Sequence, residues 1–228
     1  MKKILTVLSL ALILNGCVSP KDKKEWMFDF NQDLEGFEEI FADYHDDGND
    51  LETYEMTFGR ELVPVGTNTS QGLFISAQNR SDDLFMGYFK KLTGLKSSLT
   101  YKLKITFKLA TNEDAGSIGV GGSPAESVYV KAGVANQKPE IELDDQKVYR
   151  LNIDKGNQSE GSDLVKVISN MAKPDGSAAG YIIKELSVEV EITTSADGSV
   201  YLLIGTDSAF EGLTRYYLDD IKVVATQK

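Results

Sequence analysis

Four loops in this sequence combine carboxylate, amide, hydroxyl and ammonium side chains with glycine, a composition that suits hydroxyl-rich ligands. We name them the first polar loop (residues 81–88, S-D-D-L-F-M-G-Y), the second (120–133, V-G-G-S-P-A-E-S-V-Y-V-K-A-G), the third (152–161, N-I-D-K-G-N-Q-S-E-G) and the fourth (204–212, I-G-T-D-S-A-F-E-G). If these loops meet at one end or one face of the fold, they form a polar site. Its candidate residues are Asp82, Asp83, Ser123, Glu126, Lys131, Asp154, Lys155, Asn157, Asp207, Glu211 and Arg215. The alternative is that the polar groups only satisfy one another's hydrogen bonds.

The second polar loop belongs to a glycine-rich stretch, residues 116–133. Its glycines permit positive φ, and the sequence S-P-A-E at 123–126 is typical of a capping box, which predicts one short helical turn before a strand. A phosphate-binding loop needs a Lys followed by Ser or Thr and then a long helix, and the stretch 116–133 has neither. The stretch predicts either a structural connection or a backbone nest for an anionic or hydroxyl-rich ligand.

The patterns expected of an enzyme are sparse. His45 is the only histidine, G-x-S-x-G is absent, and no set of zinc ligands is present. The sequence E-I-E-L-D at 140–144 contains only part of the Glu-x-Asp-x-x-Glu strand pattern of β-sandwich glycosidases, with Lys147 in place of the last Glu. Carboxylates are plentiful, so glycoside hydrolase or lyase chemistry is retained as the enzymatic alternative.

The segment 31–50 is rich in carboxylates. Its part D-Y-H-D-D-G-N-D at 43–50 has the composition of a calcium loop, because hard cations bind several oxygens around a turn that glycine permits. It lacks the spacing and the terminal Glu of an EF-hand. Residues 43–50 are therefore predicted to be a solvated acidic loop.

The whole chain carries a formal net charge of −11. Nucleic-acid binding needs a basic surface, so a nucleic-acid partner is not expected, whereas cations or neutral ligands are. A single cysteine excludes an intrachain disulfide, and stability must come from the core.

Residues 1–16 are typical of a targeting segment: two lysines precede an apolar run, at 4–14, that is too short to span a bilayer. The sequence L-N-G-C at 14–17 resembles a bacterial lipobox. The resemblance implies a lipoprotein signal peptide (1–16) and acylation of Cys17, for example with palmitate. It implies a location in the bacterial cell envelope, outside the cytoplasm, with membrane contact through the lipid anchor only. Residues 17–25 are predicted to be a tether, and residues 26–228 a single domain.

Strand patterns recur throughout the remaining chain. The clearest covers residues 99–109, where five apolar residues alternate with Lys102, Lys104, Thr106 and Lys108, which predicts one buried and one solvated face. No stretch after the targeting segment has a long helical period. The sequence predicts an all-β domain of two packed antiparallel sheets.

The two ends of this domain, W-M-F-D-F-N-Q-D-L-E-G-F at 26–37 and Y-Y-L-D-D-I-K-V at 216–223, resemble the first and last strands of jelly-roll carbohydrate-binding modules. The resemblance implies a jelly-roll-like β-sandwich whose terminal strands lie together. It also implies a structural calcium bound by Asn31 and by Asp219 or Asp220. The four polar loops resemble those of an uncharacterised group of bacterial exported proteins, including lipoproteins.

The leading functional hypothesis is a tethered binding module for carbohydrate or another hydroxyl-rich ligand. The alternatives are the enzyme described above and a structural or protein-binding surface lipoprotein.

Overall fold

In the computed structural model, the described part of the chain comprises residues 22–67 and 69–228. The signal peptide, Cys17 and the first part of the predicted tether lie outside these residues. In chain order the elements are β1 (Lys23–Phe28), β2 (Glu38–Ala42), β3 (Tyr44–His45), α1 (Asp50–Thr53), β4 (Thr57–Leu62), β5 (Gln71–Gln78), β6 (Leu84–Leu92), β7 (Thr100–Thr111), β8 (Val128–Ala135), β9 (Ile141–Leu143), β10 (Val148–Leu151), β11 (Val165–Asn170), β12 (Ile182–Thr193), β13 (Val200–Ser208) and β14 (Leu213–Gln227).

The six-stranded sheet, which we call sheet A, contains both terminal strands. Its order is β12-β7-β14-β5-β4, and β1 pairs with the C-terminal half of β14, with Phe28 opposite Ile221. The N-terminal half of β14 pairs with β5 instead. A register shift against β7 between Asp219 and Lys222 marks a β-bulge in the middle of β14. The first and last strands therefore lie side by side, as the resemblance to carbohydrate-binding modules implies.

The second layer is a five-stranded sheet, sheet B, with the order β11-β8-β13-β6-β2. A third sheet of three strands, β3-β10-β9, belongs to the chain that covers the outer face of sheet B. Ile153, just after β10, packs with Phe85, Phe89 and Leu203 of sheet B in a separate apolar cluster. Sheet B is therefore covered on both faces, by sheet A on one and by the segment that includes β9 and β10 on the other.

The main core lies between sheets A and B. All five apolar residues of β7 that alternate with the lysines are buried there, which matches the pattern read from the sequence. Tyr88 and Tyr216 are fully buried, and their hydroxyls donate to the carbonyls of Phe74 and Met86, at 2.6 and 2.9 Å. These bonds satisfy the polar atoms that the aromatic rings bring into the core.

The fold class predicted from the sequence is confirmed, since the chain is an antiparallel β-sandwich, but three details differ. The third sheet was not expected. The carboxylate-rich segment 31–50 contains two short strands. The strand β2, which pairs with β6 and buries Ile40 and Phe41, was not predicted, and β3 pairs with β10 inside the predicted acidic loop. The strand β1 begins at Lys23, so the last three residues of the expected tether belong to sheet A.

The two ends of the sandwich differ in their distance from the N-terminus. At one end, Asp22 accepts a hydrogen bond from the Tyr101 hydroxyl at 2.9 Å, close to the start of β7. At about 3.3 Å per residue, the twelve residues of β7 carry Thr111 roughly 36 Å away from this end. We call the end that contains Thr111 the distal end. No helix in the described part of the chain is long and apolar enough to cross a membrane.

Candidate functional site

The four polar loops meet at the distal end. The side-chain amide of Gln158 in the third loop donates to the carbonyl of Asp82 in the first, at 2.9 Å, and its backbone N–H donates to Oδ2 of Asp207 in the fourth, at 3.0 Å. The N–H of Ala209 in the fourth loop donates to the carbonyl of Ser127 in the second, at 3.0 Å. A continuous set of hydrogen bonds therefore connects all four.

A buried cluster of charges lies where the third and fourth loops meet. Lys131 and Lys155 both place Nζ 2.7 Å from Oδ2 of Asp207, and the side chains of Lys131 and Asp207 are fully buried. Lys155 also lies 2.8 Å from Oδ2 of Asp43, which follows β2. Each charge is compensated at hydrogen-bond distance, as burial of an ionised group requires.

Strand geometry explains how Lys131 and Asp207 reach this position. Lys131 lies between Val130 and Ala132, which face the main core, so its side chain points to the outer face of sheet B. Its neighbour on β13 is Gly205. A Cβ at Gly205 would lie 2.9 Å from the ring of Phe85, so glycine is needed for that ring to cover the strand. The ammonium of Lys155 lies 5.3 Å from the centre of the same ring.

The cluster also holds the third loop in place. Lys131 Nζ donates to the carbonyls of Lys155 and Glu160, at 2.9 and 2.8 Å, in addition to Asp207. All three protons of this ammonium are therefore used. Burial lowers the pKa of Lys131, an effect that the Asp207 carboxylate opposes. Lys131 connects two turns of the loop to the sheet below it.

Asp83 is the most perturbed carboxyl of the cluster. Burial, followed by repulsion from Asp207 and Asp43, raises its pKa to about 7. Burial would also raise the pKa of Asp207, but the adjacent Lys155 and Lys131 hold it below its usual range. The pKa values of the two carboxyls are therefore shifted in opposite directions although the groups lie close together.

A pocket of about 330 Å³ opens above the cluster, and we call it the distal pocket. Arg150 lies at its side, where Nη1 donates to Oδ1 of Asp43 at 2.9 Å and Nε to Oδ2 of Asp144 at 3.2 Å. Asp154 and Asn157 are exposed at its edge. Its lining consists of Asp43, Asp83, Arg150, Leu151, Ile153, Asp154, Lys155, Gly156 and Asn157. Acceptors, donors and a small apolar surface therefore surround one volume.

A larger groove, of about 890 Å³, runs across the outer face of sheet A beside the β14 bulge. Its charged side chains include Lys108 and Lys222, which are paired with Asp220 and Glu25 and are substantially exposed. Exposed pairs of this kind are common on solvated sheets and contribute little. The distal pocket, with its buried and perturbed carboxyl, is the better candidate for a functional site.

The other candidate residues from the sequence do not share the distal pocket. Ser123 and Glu126 bond to each other, and Ser123 Oγ accepts from the N–H of Glu126 at 3.1 Å, which is the first half of the predicted capping box. Glu211 donates its N–H to Val120 and joins the second loop to the fourth. Arg215 lies on sheet A, where it pairs with Glu61. The loops converge, but their side chains divide into separate groups.

The residues expected to bind calcium are held by different partners. Oδ1 of Asn31 accepts from the N–H of Gln71 at 3.3 Å, and Oδ2 of Asp219 accepts from Ser70 at 2.8 Å. Asp220 instead turns to Lys108, 2.5 Å away.

A guanidinium also occupies this region. Arg60 Nη1 donates to the carbonyls of Phe30 and Asn31, at 3.2 and 3.1 Å. The guanidinium places a positive charge beside Asn31 that would repel a calcium ion there. Calcium binding by Asn31 and by Asp219 or Asp220 stays a prediction.

Comparison with known proteins gives structural likenesses only, since no family model and no curated protein matches the chain. The CBM22-1 xylan-binding domain of Xyn10C from Paenibacillus barcinonensis is 11% identical, with a TM-score of 0.43, over 92% of this chain and 99% of that one. The mannan-recognising module TmCBM27 is 9% identical, with a TM-score of 0.47, over 89% and 98%. A Clostridium thermocellum xylanase 10B structure with CBM22-1 and GH10 modules is 13% identical, with a TM-score of 0.38; the match covers 89% of this chain and 28% of that one. With TM-scores below 0.5, none of these assigns a ligand to this chain.

Two charged residues of the distal pocket, Asp43 and Arg150, were not among the sequence-based candidates. Asp43 was read as part of a solvated acidic loop, yet its side chain is only 8% exposed. Its positive φ of 63° comes from the turn between β2 and β3, which aims the carboxylate at Lys155. The available signal was Asp43 directly after the apolar sequence I-F-A, which marks the end of a strand.

Proposed function

We propose that the chain is an envelope lipoprotein whose β-sandwich binds carbohydrate, or another hydroxyl-rich ligand, in the distal pocket. The observation that carries the proposal is that the first and third polar loops, held together by hydrogen bonds, border one pocket. The first and third loops line a pocket at the lower end of the range of roughly 300–1,000 Å³ typical of small-molecule sites. Carboxylate, guanidinium and amide groups at its wall match the donors and acceptors of sugar hydroxyls.

The position of the pocket supports a tethered binding role. The lipobox-like sequence places the lipid on Cys17, a few residues before Asp22. Asp22 lies at the end of the sandwich opposite the distal end. An anchor at Cys17 would therefore leave the pocket facing away from the membrane. Two of the similar solved structures are carbohydrate-binding modules, and the proposal agrees with them without depending on them.

A glycan array tests this proposal, using the mature chain with Cys17→Ser to remove the lipid. Asn157→Ala removes an exposed amide at the pocket edge, and Gln146→Ala removes an exposed amide outside the pocket as the matched control. We expect specific glycan binding that Asn157→Ala weakens about tenfold and Gln146→Ala leaves unchanged. The absence of any hit, or equal effects of the two variants, would overturn the assignment. Calcium and chelator arms show whether a metal takes part.

The pocket also offers a second candidate function, glycoside hydrolysis. A carboxyl with a pKa of about 7 beside ionised carboxylates is the arrangement that supplies a general acid at neutral pH. Asp43, the nearest partner in the lining, is already engaged by Arg150 and Lys155, which weakens it as a base or nucleophile. Binding is therefore the preferred function. Incubating any bound glycan with the protein and measuring new reducing ends distinguishes the two.

A further inference from the structure

The floor of the distal pocket contains an unusual pair of oxygens. One carboxylate oxygen from each of Asp43, Asp83 and Asp207 lies within 4.8 Å of the other two. Oδ1 of Asp83 and Oδ1 of Asp207 are both buried, and neither has a hydrogen-bond partner in the described part of the chain. Two buried carboxylate oxygens without a donor repel each other, so something must compensate them.

The cations of the cluster do not supply the missing donor. Lys131 uses its protons on two carbonyls and on Oδ2 of Asp207. Lys155 contacts Oδ2 of Asp207, Oδ2 of Asp43 and the carbonyl of Gly156. Arg150 donates its hydrogen bonds to Asp43 and Asp144. Its Nη1 lies 3.9 Å from Oδ2 of Asp83, which is too far for a hydrogen bond.

A metal ion would suit three carboxylates in isolation, but these three are not isolated. Two ammonium groups already lie 2.7 to 2.8 Å from oxygens of Asp207 and Asp43. A divalent cation beside them would be repelled. A proton compensates the two oxygens without needing space for ligands.

We propose that Asp83 and Asp207 share one proton at neutral pH, and that this proton makes the pocket floor uncharged and selective for an uncharged, hydroxyl-rich ligand. The statement about the ligand rests on the proposed function; the statement about the proton does not. The raised pKa of Asp83 agrees with it, because the protonated Asp83 donates to the ionised Asp207.

The charges around the pocket explain the selectivity. Asp207 is compensated by Lys131 and Lys155, and Asp43 by Lys155 and Arg150, whose other face is bound to Asp144. Asp154 is the remaining charged group, at the exposed edge, where it accepts from the N–H of Gly156. With Asp83 protonated, no buried charge is left for an acidic or amino sugar to pair with. Ionisation of Asp83 adds one unpaired negative charge and removes a ligand-facing neutral acid.

The proton can be counted without any ligand. We expect carboxyl ¹³C spectra of the mature Cys17→Ser chain to show one side-chain resonance that titrates near pH 7, absent in Asp83→Asn and retained in the control Asp163→Asn. Asp163 is fully exposed, so its loss should not affect the cluster. If all carboxyls are ionised below pH 5.5, the shared proton is disproved. If CaCl₂ at about 5 mM, which exceeds the roughly 10⁻⁴–10⁻³ M dissociation constants of weak calcium sites, removes the titration, a metal replaces the proton and the proposal fails.

A glycan from the array tests the ligand statement separately. We expect its affinity for the wild type to fall about tenfold between pH 6 and pH 8, as one proton with a pKa of about 7 requires, and its affinity for Asp83→Asn to stay constant. If the glycan affinity of the wild type does not change with pH although a carboxyl titrates near pH 7, the shared proton is supported and the proposed selectivity is disproved. Tighter binding of acidic sugars than neutral ones would reject it too. An array without hits would reject the proposed function and leave the proton count standing.

Discussion

The outer faces of the two sheets carry the same residue types, but an exposed ion pair on sheet A has a fully buried counterpart on sheet B. On sheet A, Lys102 lies 2.6 Å from Glu189, and both side chains are about half exposed, at 47% and 49%. On sheet B, Lys131 lies 2.7 Å from Asp207, and both are fully buried. The distances are nearly equal, so distance does not measure what an ion pair contributes. Burial decides it, because removing either partner of a buried pair leaves a charge that water cannot reach.

The cover over sheet B is the cause of the difference. The chain that includes β9, β10 and the third polar loop excludes water from Lys131, and the carbonyls of that loop then bind the ammonium. Within residues 22–67 and 69–228, no such segment covers Lys102, whose side chain is 47% exposed. The same strand pattern, polar residues alternating with apolar ones, therefore gives exposed lysines on β7 and a buried, fully hydrogen-bonded lysine on β8.

The largest expected effect in this comparison is that of Lys131→Met. The variant leaves two carbonyls without a donor and Asp207 with one cation instead of two, so we expect a loss of about 3 kcal/mol in the free energy of unfolding. Lys102→Met, the matched change on sheet A, should cost less than about 1 kcal/mol. Urea denaturation at pH 6 measures both. Similar losses for the two variants would show that the cover over sheet B does not control the energetics.

The next effect concerns pH. Burial and the neighbouring carboxylates raise the pKa of Asp83 to about 7 in the folded chain, above the value of about 3.9 expected when unfolded. The folded state therefore binds a proton that the unfolded state has released across this window, and its stability decreases as pH rises towards 7. The slope for this one group approaches about 1.4 kcal/mol per pH unit.

The variant Asp83→Asn removes this loss of stability between pH 4 and pH 7. Exposed pairs such as Lys102–Glu189 do not cause such a loss in this range. We expect the difference in unfolding free energy between Asp83→Asn and wild type to grow from pH 4 to pH 7 and then to level off. Urea denaturation at several pH values gives the curve. A difference that stays constant with pH would contradict a raised pKa at Asp83.

Much of this arrangement was readable from local sequence. The alternation in residues 99–109 predicted the buried and solvated faces of β7, and the four polar loops pointed to Asp83, Lys131, Lys155 and Asp207. These residues stand out because charged side chains next to apolar strands and glycines are unusual. The class of fold and part of the site follow from such local signals.

The rest of the site depends on contacts between distant parts of the chain. Arg150 reaches Asp43 across 107 residues, and no local pattern encodes that pairing. In sequence, Arg150 is one polar residue of an alternating strand, just as Lys102 is. The strand β2 was missed for a related reason. It is buried only because it pairs with the distant strand β6, and in the sequence the many carboxylates around it suggest an exposed segment. The sequence-based site also grouped Arg215 with the loops, although strand β14 carries it to the outer face of sheet A.

The smallest expected effect sharpens the comparison from the exposed side. A double-mutant cycle with Lys102→Ala and Glu189→Ala should give a coupling energy below about 0.5 kcal/mol, because water screens both charges and ordering two long side chains costs entropy. In 1 M NaCl, where the screening length is about 3 Å, the coupling should fall to zero. A coupling above about 1 kcal/mol that persists in salt would mean that the exposed ladder on β7 and β12 stabilises the sandwich as a network. The ion pairs on the two sheets would then differ in solvent exposure but not in how much they contribute to the free energy of unfolding.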